Sequence, residues 1–109
     1  MKGWVTWILF VPSSPCRLAD IQPGEIVCDP MCGGGSIPIE GAVAFTQGFF
    51  LAGDYNQIAI DRTKNNLKAF NNQLQADGIQ WDVTNIPLRD NCIDVLISDL
   101  VILKLFFKD

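Results

Sequence analysis

With 109 residues, the chain is long enough for at most one small domain. Its net charge of −4 argues against nucleic-acid binding by this chain alone, because contacts with phosphates need clustered Lys and Arg. No run approaches the about 18 continuous apolar residues of a membrane span, which excludes a transmembrane helix.

Cysteine usage and the first residues indicate the compartment. The four cysteines, Cys16, Cys28, Cys32 and Cys92, match no common zinc spacing, and the chain has no His to complete a site. We therefore expect reduced thiols and no bound metal. Lys2 and the apolar run 4–11 are similar to the start of a signal peptide, but the run is short and lacks a clear cleavage motif. These features favour an intracellular protein.

Short apolar runs alternate with helical patterns, which predicts an α/β fold. The predicted strands cover residues 25–29, 49–53, 79–83 and 92–98. Helices are predicted from Ser14 to just before Pro23, at 37–45 and at 56–74. The apolar stripe of the last helix consists of Ile58, Leu67, Phe70 and Leu74. The following residues 76–78, Ala-Asp-Gly, are typical of a turn.

A glycine turn joins the first strand to the next helix. Glycines 33–35 allow positive φ and close approach of a ligand, and the helix start offers N–H groups to a carboxylate. Pro38 occupies the third glycine position of a dinucleotide fingerprint, and Asp29 beneath the turn would repel a pyrophosphate. A cationic ligand with one carboxylate fits better, which favours S-adenosyl-L-methionine.

A second acid, Asp54, closes the second strand. It lies 19 positions after Gly35, near the spacing of about 20 residues at which an acid meets a ribose in nucleotide-binding folds. A carboxylate can accept hydrogen bonds from both ribose hydroxyls, so this is the role we expect. The alternative is a loop acid or a helix cap.

The turn also carries a family resemblance. Residues 29–42, DPMCGGGSIPIEGA, resemble the cofactor loop of the THUMP-domain-containing tRNA guanine-N2 methyltransferases, with Gly34 where that family usually has Thr or Ser. Matching pieces at 18–24, 52–54, 81–89 and 97–100 extend the resemblance over most of the chain. It implies a Rossmann-like methyltransferase fold with strand order 3-2-1-4-5-7-6, of which the first four strands are readable as a partial parallel sheet with helices on both faces.

The resemblance also implies roles for individual residues. S-adenosyl-L-methionine would be the cofactor, with its ribose at Asp54 and its adenine at Asp82. The target-base site would retain Asp99, whose carboxylate accepts hydrogen bonds from the guanine amine. The residues expected to hold the methionine end are Asp29, Pro30, Cys32, Gly33, Gly34 and Gly35.

Partners follow from the same resemblance. In the family a separate THUMP domain, absent here, helps to hold the tRNA substrate, and a small zinc-binding activator subunit is the expected protein partner. The expected location is the cytoplasm or the nucleus, with no membrane association.

The two ends of the chain depart from the family pattern. After Asp99 and Leu100 the family has Pro-Phe-Gly, whereas this chain has Val-Ile-Leu at 101–103. The turn and the aromatic platform for the base are therefore missing, and the far edge of the fourth strand is open unless residues 101–107 cover it. We divide the chain into a divergent segment 1–13, a partial methyltransferase domain 14–100 and an apolar tail 101–109.

Three functions remain open from the sequence. The first is the cofactor-binding part of a tRNA guanine-N2 methyltransferase, inactive by itself. The second is a non-enzymatic truncated splice product or interaction module that binds no cofactor. The third is an NAD-type domain, which Pro38 and Asp29 disfavour.

Overall fold

The computed structural model describes residues 6–9, 21–90 and 92–98, with the backbone alone at 6–9 and at Ser98. Its strands form one parallel sheet in the order β1-β5-β2-β3-β4. The α/β class expected from the sequence is thus confirmed. The elements in chain order are β1 (Thr6–Leu9), β2 (Ile26–Asp29), α1 (Ser36–Ala44), β3 (Phe49–Asp54), α2 (Gln57–Lys68), β4 (Ala76–Gln80), a 3-10 turn (Val83–Asn85) and β5 (Val95–Ser98).

The sheet is built around β2, which lies between β3 and β5. Its residues Val27 and Cys28 are 3% and 0% exposed, as the continuous apolar run of a parallel strand covered on both faces requires. Cys28 pairs with Leu51 of β3 on one side and with Leu96 of β5 on the other. The order β4-β3-β2-β5 reproduces the 3-2-1-4 part of the predicted topology.

Side chains alternate between two hydrophobic clusters on the faces of the sheet. One face carries Val27 and Phe50 and is covered by α1, whose small Ala42 lies in the cluster. The same face of β4 meets α2, because Gly78 lies against Ile60 and Thr63 of that helix. The other face carries Cys28, Leu51, Ile79 and Leu96 and is covered by Trp81, Ile86, Leu88, Cys92 and Ile93. Within the described residues both helices therefore lie on one face, whereas the sequence suggested helices on both.

The edge of β5 is not open, which corrects the expectation from the sequence. Thr6 to Leu9, within the segment considered divergent, pair in parallel with Val95 to Ser98. This short run is rich in β-branched and aromatic residues, which favour strands. The tail at 101–107, considered as a possible cover for this edge, lies outside the described residues.

The boundaries of α2 and β4 also differ from the prediction. Asn71 and Asn72 have φ of 57° and 54°, so the helix ends at Lys68 and not at residue 74. Its buried stripe is Ala59, Ile60, Thr63 and Leu67, while Ile58 and Phe70 are exposed. The expected apolar stripe was wrong for those two residues. Phe70 follows the end of the helix, and the buried face of the helix includes Thr63 and leaves Ile58 outside it.

The predicted turn at 76–78 is the start of β4. Ala76 to Gly78 pair with Phe50 to Ala52, so neighbouring backbone outweighs the local turn preference of Asp-Gly. At Gly78 the strand lies close to α2, since a Cβ there would be in ordinary contact with Thr63 Cγ2 at 3.4 Å. β4 spans Ala76–Gln80, where the sequence predicted a strand at 79–83. β5 spans Val95–Ser98, where the sequence predicted a strand at 92–98. The helix predicted from Ser14 to Pro23 lies mostly outside the described residues.

Deleting residues 1–9 should destabilise the fold and make it self-associate. The deletion removes the four β1 residues that pair with one side of β5 and exposes that edge. Losing about four backbone hydrogen bonds at about 0.5–1.5 kcal/mol each should lower the free energy of unfolding by about 2–6 kcal/mol. Urea unfolding and size-exclusion chromatography measure both effects.

Deletion of residues 1–4 is the matched control, since it leaves Thr6–Leu9 in place. Equal stability and an equal elution volume for the two truncated chains would contradict the pairing of β1 with β5.

Candidate functional site

The carboxyl ends of β2 and β3 bring two acids to one edge of the sheet. Asp29 ends β2, pairs in register with Ala52, and is only 3% exposed. Its Oδ1 accepts a hydrogen bond from the Met31 N–H at 3.2 Å, which starts the turn above it. Asp54 ends β3 and is partly exposed. The two carboxyl groups expected at this edge are therefore both located there.

The turn at 30–35 owes its shape to its glycines. Gly33 and Gly35 have φ of 58° and 81°, values that L side chains adopt at a cost. Gly35 caps α1, and its N–H donates to the Cys32 carbonyl at 3.0 Å. A Cβ placed on Gly33 would meet nothing within 4 Å, so the outer side of the turn is open. A ligand can therefore approach the backbone closely there.

Asp54 joins this turn to the start of α2. Its Oδ2 accepts from the Gly33 N–H at 2.9 Å, and its Oδ1 accepts from the Asn56 N–H at 2.9 Å. Asn56 in turn caps α2 by accepting from the Ile58 N–H at 2.9 Å. A carboxylate has about four acceptor sites, so both oxygens retain capacity for hydroxyl donors such as those of a ribose.

Helix α2 supports the turn from beneath. The hydroxyl of Thr63 is fully buried and lies 3.2 Å from the Gly33 carbonyl and 3.0 Å from the Ala59 carbonyl. Asn66 Nδ2 donates to the Gly34 carbonyl at 3.2 Å. A Cβ on Gly35 would lie 2.7 Å from Thr63 Oγ1, so helix and turn are in direct contact.

Cys32 lies in the turn but is not an activated thiol. Burial raises its pKa to about 12, although the hydrogen bond with Thr63 opposes that shift. Its Sγ lies 3.8 Å from Thr63 Oγ1, and its N–H donates to the Gly53 carbonyl at 2.8 Å. Cys32 is therefore a neutral packing residue near neutral pH, not a nucleophile.

Trp81, which the sequence did not single out, closes the other side of the turn. Its side chain is 3% exposed, and its Nε1–H donates to the Pro30 carbonyl at 3.0 Å. The indole ring lies against Gly53, where a Cβ would come within 1.8 Å of it. A glycine inside a strand, followed by a Trp just after the next strand, was the available signal for this contact.

Asp82 follows Trp81 and is exposed. It caps the 3-10 turn Val83–Asn85, with Oδ1 accepting from the Thr84 N–H at 2.9 Å and from Thr84 Oγ1 at 2.7 Å. These hydrogen bonds lower the pKa of its carboxyl below the usual value. Asp82 thus lies two residues after β4, beyond the strand in which the sequence placed it. Asp99, the expected target-base residue, lies outside the described residues.

Among residues 21–90 and 92–98, no three His, Cys, Asp or Glu side chains are grouped to hold a metal ion. In the same part of the chain no helix has the length and apolarity needed to cross a bilayer.

A parallel sheet with a glycine turn after its central strand and an acid ending the adjoining strand is typical of Rossmann-like folds that bind a nucleotide-containing cofactor. Solved structures with this fold are S-adenosyl-L-methionine-dependent methyltransferases, so the cofactor of the class is the one that the sequence predicted. Residues 13–100 match the family described as "RMKL-like, methyltransferase domain" (UPF0020). The chain belongs to this family, and the resemblance found in its glycine turn is confirmed.

Relatives and solved structures agree with this assignment. The chain is 40% identical over 95 residues to human tRNA (guanine(6)-N(2))-methyltransferase THUMP3, which covers 77% of the chain and 19% of the relative. It is 34% identical over 106 residues to human U6 snRNA (guanine-N(2))-methyltransferase THUMPD2, which covers 97% of the chain and 20% of the relative. The chain thus spans about a fifth of the length of these relatives.

Among solved structures, TrmN from Thermus thermophilus superimposes with a TM-score of 0.65 at 25% identity, covering 75% of this chain and 25% of TrmN. A putative S-adenosyl-L-methionine-dependent methyltransferase from Methanococcus maripaludis gives a TM-score of 0.64 at 24% identity, covering 83% and 39% of the two chains. The latter likeness concerns the fold alone.

Replacing Gly35 with Ala should unfold the site, whereas replacing Gly34 should be tolerated. The Gly35→Ala chain adds a Cβ at φ 81° and 2.7 Å from Thr63, and the left-handed backbone alone costs about 1–2 kcal/mol. With overpacking, its free energy of unfolding should fall by at least about 2 kcal/mol. At Gly34 the nearest atom to a Cβ is Arg62 Cδ at 3.5 Å, an ordinary contact.

The Gly34→Ala control should therefore stay within about 0.5 kcal/mol of the parent chain. Chemical denaturation of both variants measures the difference, and equal losses for the two glycines would refute the geometry described for the turn.

Proposed function

We propose that this chain binds S-adenosyl-L-methionine at the carboxyl ends of β2 and β3, as the cofactor-binding part of an RNA guanine-N2 methyltransferase. The observation that carries the proposal is the 2.9 Å contact between Asp54 and the Gly33 N–H, which brings the acid and the glycine turn into one site. The proposed methyltransferase domain is 14–100, close to the 13–100 matched by the family.

The residues at this edge fit the cofactor in shape and charge. The open side of Gly33 admits the methionine end, and the acids Asp29 and Asp54 favour a ligand with a sulfonium and an ammonium group over a pyrophosphate. Asp29 is almost fully buried, so its proposed contribution is negative charge beneath the turn. In the proposed arrangement Pro30, Cys32 and residues 33–35 form the wall beside the methionine end.

The turn lets a ligand come close to its backbone, but two of its N–H groups are already used within the protein. The N–H groups of Gly33 and Gly35 already donate to Asp54 and to the Cys32 carbonyl. Asp54 would accept from the ribose hydroxyls with its remaining lone pairs. Asp82 would accept from the adenine amino group, since both of its protein hydrogen bonds end on Oδ1.

The proposed reaction transfers a methyl group to the exocyclic amine of guanine. The cofactor supplies an electrophilic methyl on a positively charged sulfur. In this displacement the S–C bond would break as the N–C bond forms, the electron pair would stay on sulfur to give a neutral thioether, and the amine proton would pass to solvent. Asp99 would accept hydrogen bonds from the amine and hold it in line, so that most of the acceleration comes from positioning.

The names of the relatives support an RNA substrate of this kind. By these names, one relative methylates guanine-N2 of tRNA and the other methylates guanine-N2 of U6 snRNA. We propose tRNA as the substrate, bound through domains outside this chain because its net charge is −4. A small zinc-binding activator subunit is the proposed protein partner, and the cytoplasm or the nucleus is the proposed location.

Titration of the chain with S-adenosyl-L-methionine should give saturable heat, and Asp54→Ala should abolish it. Removing this carboxylate takes away both the ribose acceptor and the bond that holds the Gly33 N–H. Asp61→Ala is the control, since that acid is exposed on α2 and contacts only Gln57 among the described hydrogen bonds. Isothermal calorimetry measures all three chains.

Other results of the same titration point to the other functions. No heat at millimolar cofactor would favour a non-enzymatic module. Displacement of the bound cofactor by NADH at similar concentration would favour an NAD-type site and overturn the assignment.

The chain by itself should bind the cofactor but leave tRNA unmethylated. Residues 101–103 lack the Pro-Phe-Gly turn that the family resemblance places after the target-base acid, so the base has no aromatic platform. Incubation with tritiated S-adenosyl-L-methionine and tRNA should yield no label above background, and a full-length family member serves as the positive control. Transfer above that background would show that the chain is catalytically competent.

A further inference from the structure

We propose that Trp81 is a positioning residue for the cofactor site, joining the three segments that would contact the methionine, ribose and adenine ends. The inference rests on the proposed function, because it concerns the same site. It goes beyond that function by assigning the spacing of these segments to one side chain that need not touch the ligand.

The first connection runs from Trp81 to the glycine turn. Its indole N–H donates at 3.0 Å to the carbonyl of Pro30, the residue between Asp29 and the turn. Pro30 is fully buried, so its carbonyl has little access to water. Without the indole donor this buried acceptor would lose its described partner, which is costly in a nonpolar environment. The hydrogen bond therefore restrains the start of the turn.

The second connection runs from Trp81 to β3. The ring lies directly on Gly53, whose missing side chain provides the space. The Trp81 N–H donates to the Asp54 carbonyl at 2.9 Å, so the backbone of the acid is held as well. The Gly53 carbonyl accepts from the Cys32 N–H at 2.8 Å, so the turn, β3 and Trp81 are each in contact with the other two.

The third connection is covalent, since Asp82 follows Trp81 directly. The buried ring gives the exposed Asp82 a fixed starting point, and the 3-10 turn Val83–Asn85 continues from it. A shift of the indole would thus move the proposed adenine contact and the turn relative to each other. Preorganised contacts of this kind lower the cost of ordering the protein when a ligand binds.

Replacing Trp81 with Phe tests the role, because Phe keeps an aromatic ring and removes the indole N–H. We expect the Kd for S-adenosylhomocysteine, the demethylated form of the cofactor, to rise about fivefold, within the range of one lost hydrogen bond. The amide exchange rate of Cys32 should also rise about fivefold relative to amides in β2. Calorimetry and hydrogen exchange by NMR measure these effects.

Phe50→Leu is the matched control for a purely structural role. Phe50 is fully buried near the start of β3, on the opposite face of the sheet from Trp81. This variant should lower Tm at least as much as Trp81→Phe while leaving the Kd within about twofold. If both variants raise the Kd equally, or if Trp81→Phe leaves it unchanged, the positioning role is refuted.

A measurement on the unaltered chain covers the case in which Trp81→Phe does not fold. Saturation with S-adenosylhomocysteine should slow hydrogen exchange of the Trp81 indole N–H about tenfold, and an unchanged rate would overturn the inference. If the unaltered chain does not bind the ligand, the proposed function fails. In that case only the restraint of the turn by Trp81 is left to test, and an unchanged Cys32 amide exchange rate in Trp81→Phe or, if that variant does not fold, in Trp81→Tyr would refute it.

Discussion

The carboxylate of Asp54 is the point at which two chain segments distant in sequence meet. One oxygen holds the N–H of Gly33 and the other holds the N–H of Asn56, each at 2.9 Å. The first contact sets where the glycine turn lies above the sheet, and the second sets where α2 begins. Because Asn56 caps that helix, the direction of α2 and the shape of the turn depend on the same charged group.

Close approaches at two glycines complete this arrangement. Gly35 lies against Thr63 on the helix side, and Gly53 lies against Trp81 on the other side. A Cβ at either position would overlap the neighbouring side chain, so each pair acts as a contact surface between segments. The turn is consequently held from both faces of the sheet while the outer side of Gly33 stays open. That combination of a restrained backbone and an accessible face suits a ligand site.

The sheet extends on both sides of the turn by different means. On one side β3 and β4 follow the usual order of a nucleotide-binding fold, with α2 packed closely over Gly78. On the other side β5 gains a neighbour from the start of the chain, through the pairing of Thr6 to Leu9. Parallel pairing there shields a strand edge that would otherwise offer its backbone groups to other chains.

The amino-acid sequence alone determined the α/β class, the order of four strands, the methyltransferase family and the edge at which Asp29, Gly33 and Asp54 meet. These properties depend on local patterns, since strands, turns and family motifs are written in short runs of residues. Only the tertiary structure decided that Thr6–Leu9 pairs with β5, that residues 76–78 form a strand, and that Trp81 contacts Pro30. Each of these depends on backbone or side-chain groups far away in the chain, whose nearness a linear pattern does not encode.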